Sequence, residues 1–501
     1  MDIIEVLSYV IIIIYSLILL YILFYNLVQF QLLVNYKRKP SCVVEISPED
    51  VVDWPTVTIQ LPTFNEKYVV GRLIDNIAGL DYPKEKMQIQ VLDDSTDDTL
   101  EISKQKVDEY REKGFDISLI HRKDRKGYKA GALQNGLQFA TGEFVAIFDA
   151  DFLPNTDFLK KTIGYFGKEK IAVVQARWEH INQEDSLITE VQAFQLNVHF
   201  TIEQSARCHS DYLLQFNGTA GIWRKEAIFD AGGWHADTLT EDLDLSYRAQ
   251  LKGWKILYQE GVGAPAELPA HIYSYKSQQY RWMKGGAETA KKLIGPILKS
   301  KIPLERKIHA IAHLTGSTIF LLVFSMAVLS VPMVWAVSKL NLNMGYFMVF
   351  VLGIVAITAT FYQANVLNPY NHPGLSKFRK IIKFIFLFPV FISISMGLSL
   401  HNSIAVIQGF RGKKSPFVRT PKFNLQKLNS DFNHTNQGVY LKALTKLKSG
   451  TLLEGLLCVY FIFGIVAGLR LHNYSMILLH IFLVFGFGSI FYFSIKDLRI
   501  R

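Results

Sequence analysis

From Val6 to Tyr36 the chain contains no Asp, Glu, Lys or Arg, a run of 31 residues. About 20 apolar residues suffice to cross a bilayer as a helix. A cleaved leader is the rival reading, but the run is too long and lacks a basic start. Asp2 and Glu5 precede it and Lys37, Arg38 and Lys39 follow it. Cations collect on the cytoplasmic side of a span, so we expect the N-terminus outside and residue 37 onward in the cytosol.

No comparable run occurs from 40 to about 307. Beyond it the hydropathy predicts spans near 314–338, 345–367, 451–469 and 473–495, and an apolar stretch at 384–408. The 409–450 loop carries nine Lys and Arg from Arg411 to Lys448, so it is expected in the cytosol. Two spans have by then returned the chain inside, and 384–408 is therefore read as interfacial or re-entrant. Five crossings result. The domains expected are an N-terminal span at 1–39, a cytosolic domain at 40–300, and membrane and interfacial helices at 301–501.

Composition narrows the rest. The chain has 501 residues, 50% of them hydrophobic and 20% charged, which excludes a disordered or disulfide-scaffold protein. The net charge of +10 allows nucleic acid, anionic lipid or an anionic substrate. Its cations concentrate beside the spans, where anionic lipid explains them and nucleic acid is not needed. Cys42, Cys208 and Cys458 are far apart and in no metal spacing, so neither a disulfide framework nor a zinc site is expected, and the soluble part should face a reducing compartment.

Within 40–300, short β-prone runs alternate with helical stretches. Val57–Leu61, Met87–Leu92, Ile117–Ile120, Phe144–Phe148 and Ile171–Gln175 read as strands, and 68–80, 98–113, 129–140 and 155–166 as helices. The alternation predicts an α/β domain with a parallel sheet, whose ligands bind beyond the carboxyl ends of the strands. Polar clusters fall there: Thr63–Glu66, Asp93–Thr96 and Asp149–Asp151. Neither a P-loop nor a dinucleotide-binding glycine motif is present.

The chain offers carboxylates instead. Asp149 and Asp151, two apart on extended backbone, project to one side and suit Mg²⁺ or Mn²⁺ on a diphosphate. Thr238–Glu241 fits a capping box opening a helix that runs to about Lys252. Acids in its first turn at Glu241, Asp242 and Asp244 are explained by the helix dipole alone, or else Asp242 is a general base. Gln278, Arg281 and Trp282 share one helix face, where Arg suits phosphate and Trp a sugar or base. The plainer alternative is an interfacial helix whose Arg281 and Lys284 reach lipid headgroups. Cys208-His209 and the span-bordering His309, His313 and His401 have bland readings as packed or interfacial groups.

In order and spacing, QLPTFNE (60–66), LDDSTDDT (92–99), RKGYKAGAL (125–133), DAD (149–151), FNGTAGIWR (216–224), TED (240–242), QQYRW (278–282) and SPFVRTPK (415–422) resemble the processive inverting members of glycosyltransferase family 2. Within that group the likeness is to cellulose-synthase-like mannan and glucomannan synthases. The resemblance implies a glycosyltransferase-A-type, Rossmann-like cytosolic domain inserted in an α-helical transmembrane domain. It implies an integral, multi-pass enzyme of a bacterial plasma membrane, or of a Golgi membrane in a eukaryote.

It also implies roles. Asp94, with Asp93 second, contacts the donor nucleotide near Thr63 and Glu66, and Lys129 holds its diphosphate. Asp149 and Asp151 bind the nucleotide sugar and Mg²⁺ or Mn²⁺. Asp242, beside Glu241, deprotonates the acceptor. Phe216, Asn217, Gly218 and Thr219 line the acceptor site, and Gln278, Arg281 and Trp282 bind diphosphate and stack the acceptor sugar. Phe417, Thr420 and Lys422 match a gating loop in which Arg419 replaces the usual Val. The implied partners are a nucleotide sugar (GDP-mannose or UDP-glucose), the growing polysaccharide and membrane lipid. The implied product is a β-linked, 1,4-type polymer threaded outward. One N-terminal span, and no cyclic-di-GMP domain after the last span, depart from bacterial cellulose synthases. Transfer of one sugar to a polyprenyl phosphate is the alternative chemistry, and a channel or scaffold with an inactive domain the alternative class.

Overall fold

The structure is a computed structural model that describes residues 2–38, 53–167, 170–415 and 437–499. The expectations for Phe417, Arg419, Thr420 and Lys422 lie outside those residues.

Helix α1 (Ile3–Arg38) leads into an α/β domain. In chain order its elements are β1 (Val57–Thr63), α2 (Val70–Ala78), β2 (Met87–Asp93), α3 (Thr99–Glu112), β3 (Asp116–His121), α4 (Tyr128–Leu137), β4 (Phe144–Ile147) and α5 (Lys160–Ile163). Then come β5 (Ile171–His180), α6 (Leu187–Val198), α7 (Gln204–His209), β6 (Gly221–Arg224), α8 (Lys225–Asp230), α9 (Glu241–Leu251) and β7 (Lys255–Ala266). The long α10 (Ile272–Lys299) and α11 (Leu304–Leu314) connect the domain to α12 (Thr318–Lys339), α13 (Val351–Tyr362), α14 (Lys377–Phe410), α15 (Gln437–Arg470) and α16 (Ile477–Arg499).

The strands pair in the order β3-β2-β1-β4-β6-β5-β7. The sheet is mixed, since β6 runs antiparallel to both β4 and β5. Two strands went unread in the sequence. β6 is only four residues long, and β7 contains Gly261, Gly263 and Pro265, which imitate turn residues. The helix expected at 155–166 contracts to α5 and one 3-10 turn, after a turn at 156–159. β1 is buried along nearly its whole length, as a central strand covered on both faces must be. Val70, Leu73, Ile74 and Ile77 of α2 recur at helical spacing and seal one face of the sheet. Because β1 lies between β2 and β4, strand order reverses there and leaves a crevice at their carboxyl ends.

Among the described residues, six helices are long and apolar enough to cross a membrane: Ile3–Arg38, Thr318–Lys339, Phe347–Leu367, Lys377–Phe410, Gly450–Arg470 and Ile477–Asp497. One of them differs from the rest in its contacts. Near its start, α14 touches α6 through Lys383 Nζ and Glu190 Oε1, 2.9 Å apart. Near its end, the Tyr280 hydroxyl of α10 donates to Gln408 Oε1 at 2.6 Å. Both ends of this helix therefore rest on the domain side. By contrast, α1 meets Glu305 through Gln31 at one end and, through Asp2, Lys339 at the other. The stretch 384–408 is continuous helix, so it is not a re-entrant loop.

Cys208 is disulfide-bonded, a correction to the expectation of unpaired cysteines, and the reading of a reducing compartment loses that support. Sequence separation carries no information on which thiols meet in space. Cys458 is free.

Candidate active site

Beyond the carboxyl ends of β1, β2 and β4 lies a cleft of about 220 Å³. Thr63 and Glu66 arrive from β1, Asp94 from β2, Asp149 and Asp151 from β4, and Lys129 from α4. Asn217 and Gly218 precede β6, Glu241 and Asp242 open α9, and Gln278, Arg281 and Trp282 come from α10. Thr63 and Trp282, 219 positions apart in sequence, thus face one space, as expected where a sheet collects its loops at one edge.

Charge is arranged rather than merely collected. Lys129 Nζ lies 2.6 Å from Asp149 Oδ1 and donates to the Gly218 carbonyl at 2.8 Å. Burial opposes its charge, but Asp149, Glu241 and Asp242 outweigh burial and hold the ammonium above the ordinary lysine value. The Asp149 amide donates to Thr219 Oγ1 at 2.9 Å, which fixes the backbone under the first acid of the pair. Arg281 is pulled down by burial, against the opposing pull of Asp149, Glu241, Asp151 and Glu66. Burial, and then the adjacent Glu241, push the Asp242 carboxyl up to about 7. Glu241 itself is raised by burial, with Lys129 opposing.

Two close approaches hold the Asp242 region in place. Gly218 adopts φ +81°, and a Cβ there would sit 2.8 Å from Asp242 Oδ2. A Cβ on Gly285 of α10 would sit 2.5 Å from the Thr240 methyl, so only glycine lets α10 pack against the start of α9. Further along α10, Glu288 Oε2 accepts from the Leu239 amide at 2.9 Å, and Thr289 and Thr240 hydroxyls lie 3.1 Å apart. The predicted capping box is not formed. Thr240 is the residue before the helix, its side chain turns to Thr289, and Glu241 is the first helical residue instead of the third.

Three expected site residues lie off the cleft. Asp93 is fully buried, with Oδ2 2.7 Å from His121 Nδ1, and it accepts from the Ser95 amide. It therefore shapes the turn that presents Asp94. Phe216 is fully buried edge-on against Trp223, and Thr219 acts from behind through the Asp149 amide.

Arg122, behind the cleft, and Arg125 and His180, which line it, were not anticipated. Arg122 grips both Asp94 oxygens, at 2.7 and 2.5 Å, a fork that orients this acid. Its position directly after β3 was the available signal. Arg125 stacks on Phe64 with its guanidinium carbon 3.3 Å from the ring centroid. His180, at the end of β5, lines the cleft with neither ring nitrogen hydrogen-bonded. Burial, then Arg177, lower it to about 3, so the ring is neutral.

The donor set fits a hard divalent cation: Asp149 and Asp151 supply carboxylate oxygens two residues apart in a cleft that also holds Glu66, Asp94 and Glu241. A second group, His235, Asp237 and Asp244, has ligand atoms within 4.8 Å of one another. There Lys292 reaches Asp237 and Asp244 at 2.8 and 2.9 Å and Arg248 reaches Asp244 at 2.8 Å, so these acids serve to tie α9 to α10.

Residues 55–285 match the family described as Glycosyltransferase like family 2. Glucomannan 4-beta-mannosyltransferase 1 of Oryza sativa subsp. japonica is 42% identical over 264 residues, 52% of this chain and 51% of that protein. Glucomannan 4-beta-mannosyltransferase 9 of Arabidopsis thaliana is 42% identical over 264 residues, 52% and 50% of the two chains. The chain spans about half the length of the curated relatives it matches. Among solved structures, the mannosyltransferase PcManGT from Pyrobaculum calidifontis, in complex with GDP-Man and Mn²⁺, superposes with a TM-score of 0.53 at 19% identity, covering 82% of this chain and 100% of that one. That likeness is one of fold. Residues 55–285, which contain every acid of the cleft, form a glycosyltransferase family 2 domain.

Proposed function

We propose that the chain is a processive, inverting β-mannosyltransferase that builds a β-1,4-linked polymer from GDP-mannose at the membrane and passes it outward. The observation that carries this reading is that Asp149, Asp151, Asp242 and Trp282 all line one cleft. The 42% identity to glucomannan 4-beta-mannosyltransferases favours mannose, and the GDP-Man complex of the structural neighbour favours its nucleotide.

In this mechanism the nucleotide lies along Thr63, Glu66 and Asp94, with Arg122 fixing the orientation of Asp94. Asp149 and Asp151 would hold Mg²⁺ or Mn²⁺, which when bound would supply positive charge to offset that of the diphosphate. Lys129 and Arg281 place fixed cations beside the same group. Trp282 presents a flat apolar face to the acceptor sugar. Asp242, poised near 7 by burial, takes the proton from the acceptor hydroxyl. That oxygen attacks the anomeric carbon as the bond to the diphosphate breaks, and a single displacement inverts an α-linked donor to a β-linked product. The domain contacts at both ends of α14 support placing that helix along the membrane face, leaving five crossings.

Membranes containing the chain, incubated with labelled GDP-mannose or UDP-glucose and digested with linkage-specific hydrolases, test the reading. A long product cleaved by β-1,4-mannanase is expected. A single sugar on a lipid phosphate as the only product overturns it.

A further inference from the structure

Helix α10 has two working flanks. Gln278, Arg281 and Trp282 line the cleft. At 100° per residue, Lys276 lies at least about 120° around the helix from each of them. Its ammonium is buried, 2% exposed, against Glu454 of α15, 3% exposed. Lys276 Nζ meets both Glu454 oxygens, at 2.7 and 2.9 Å, and Ser494 Oγ of α16 at 2.9 Å. Its backbone carbonyl lies 2.9 Å from His401 Nε2 of α14. One residue thus touches three helices of the bundle. Its neighbours repeat the pattern: the Ile272 amide donates to Asp497 Oδ2 at 3.0 Å, and the Tyr273 hydroxyl donates to the Ser494 carbonyl at 2.8 Å.

A buried ion pair is a poor source of stability, because desolvation offsets its attraction, but breaking it leaves an isolated charge. Such a pair is suited to fixing register. An apolar contact would let α10 slide or turn by a fraction of a residue, whereas three hydrogen bonds from one ammonium do not.

We propose that Lys276, Glu454 and Ser494 are positioning residues: they lock the register of α10 against the helical bundle and so set where Arg281 and Trp282 stand in the cleft. The same helix carries Gly285, Glu288 and Thr289 against the start of α9, so a slip of α10 displaces the Trp282 platform and the Asp242 region together. This rests on the function proposed above for its kinetic consequence, but not for its structural one.

The experiment uses the full chain in nanodiscs. Lys276→Met, Glu454→Gln and the exchange Lys276→Glu/Glu454→Lys are compared with wild type. With GDP-mannose and Mn²⁺, each single variant is expected to lose kcat by about tenfold or more while the donor KM moves by less than about threefold, and the exchange recovers most of that kcat. Hydrogen exchange supplies the readout independent of activity: amides of 273–284 are expected to exchange faster in the single variants, with the strands unchanged, and to be protected again in the exchange variant. If the single variants do not purify as folded protein, Ser494→Ala carries the same two expectations with smaller amplitude. Unchanged exchange and kcat in the single variants, or an exchange variant that restores neither, overturns the proposal. Wild type that makes no glycan while the exchange pattern holds overturns the function proposed above and leaves the clamp standing.

Discussion

Gly218 and Asp242 approach so closely that the smallest side chain at 218 would sit 2.8 Å from Asp242 Oδ2. Backbone at φ +81° adds strain for any residue with a Cβ. Gly218→Ala is therefore expected to displace the Asp242 carboxylate and to lower kcat by about 100-fold or more, since small misplacements of a reacting group are that costly. Because Lys129 also leans on the Gly218 carbonyl, donor binding should weaken as well. A variant with wild-type kcat contradicts this geometry.

Asp242→Asn should abolish transfer and leave nucleotide binding nearly intact. In wild type, kcat/KM should rise with pH through about 7, as the carboxyl loses its proton, and this limb should be missing from any residual activity of the variant. Stability should move in the opposite sense. The folded carboxyl titrates well above its ordinary value of 3.8, so the stability it contributes is full below that value and is lost as pH rises through about 7. Asn is uncharged in both states. The thermal midpoint of Asp242→Asn should therefore exceed that of wild type by more at pH 8 than at pH 4.

Asp151→Ala removes one of two carboxylates that suit a divalent cation. Calorimetry of GDP binding with Mn²⁺ should show affinity reduced by roughly 10- to 100-fold, a loss typical of damaged metal sites. Binding in EDTA should be unchanged. Equal loss under both conditions would place Asp151 on the nucleotide and not on a metal.

Arg122→Ala leaves the nearly buried Asp94 carboxylate without its fork. Removing one partner of such a pair costs roughly 2–4 kcal/mol. The melting temperature should fall and GDP affinity should drop. Arg122→Lys should recover little of either, because an ammonium cannot grip both oxygens in parallel.

The strands that build the cleft were legible because each is a short apolar run ending in a polar cluster, as at Thr63, Asp93-Asp94 and Asp149. Those signals are local. The acids were legible for the same reason, and Trp282 because its i, i+4 spacing from Gln278 sets both on one helix face with Arg281. What escaped was reach. Arg122 reaches from the end of β3 to Asp94 beyond the neighbouring β2, His180 lines the cleft from the end of β5, and Glu454 finds Lys276 across 178 positions. Asp93 and Asp94 look equivalent as letters, yet the last residue of β2 turns into the interior and the next, in the turn beyond the strand, reaches the cleft. The capping box failed because a competing partner, Thr289, sits on a helix that local spacing does not see.

The two-sided α10 also constrains how this chain can vary. Each substitution between 272 and 292 is judged twice, once by a reaction cleft and once by a lipid-embedded bundle, and a change that suits one neighbour tends to offend the other. Tolerance should concentrate where neither neighbour reaches, at exposed Gly295, Leu298 and Lys299. A saturation library over this helix would show depletion in two interleaved stripes, released in the final turns at the exposed positions but not at buried Leu293 and Ile297.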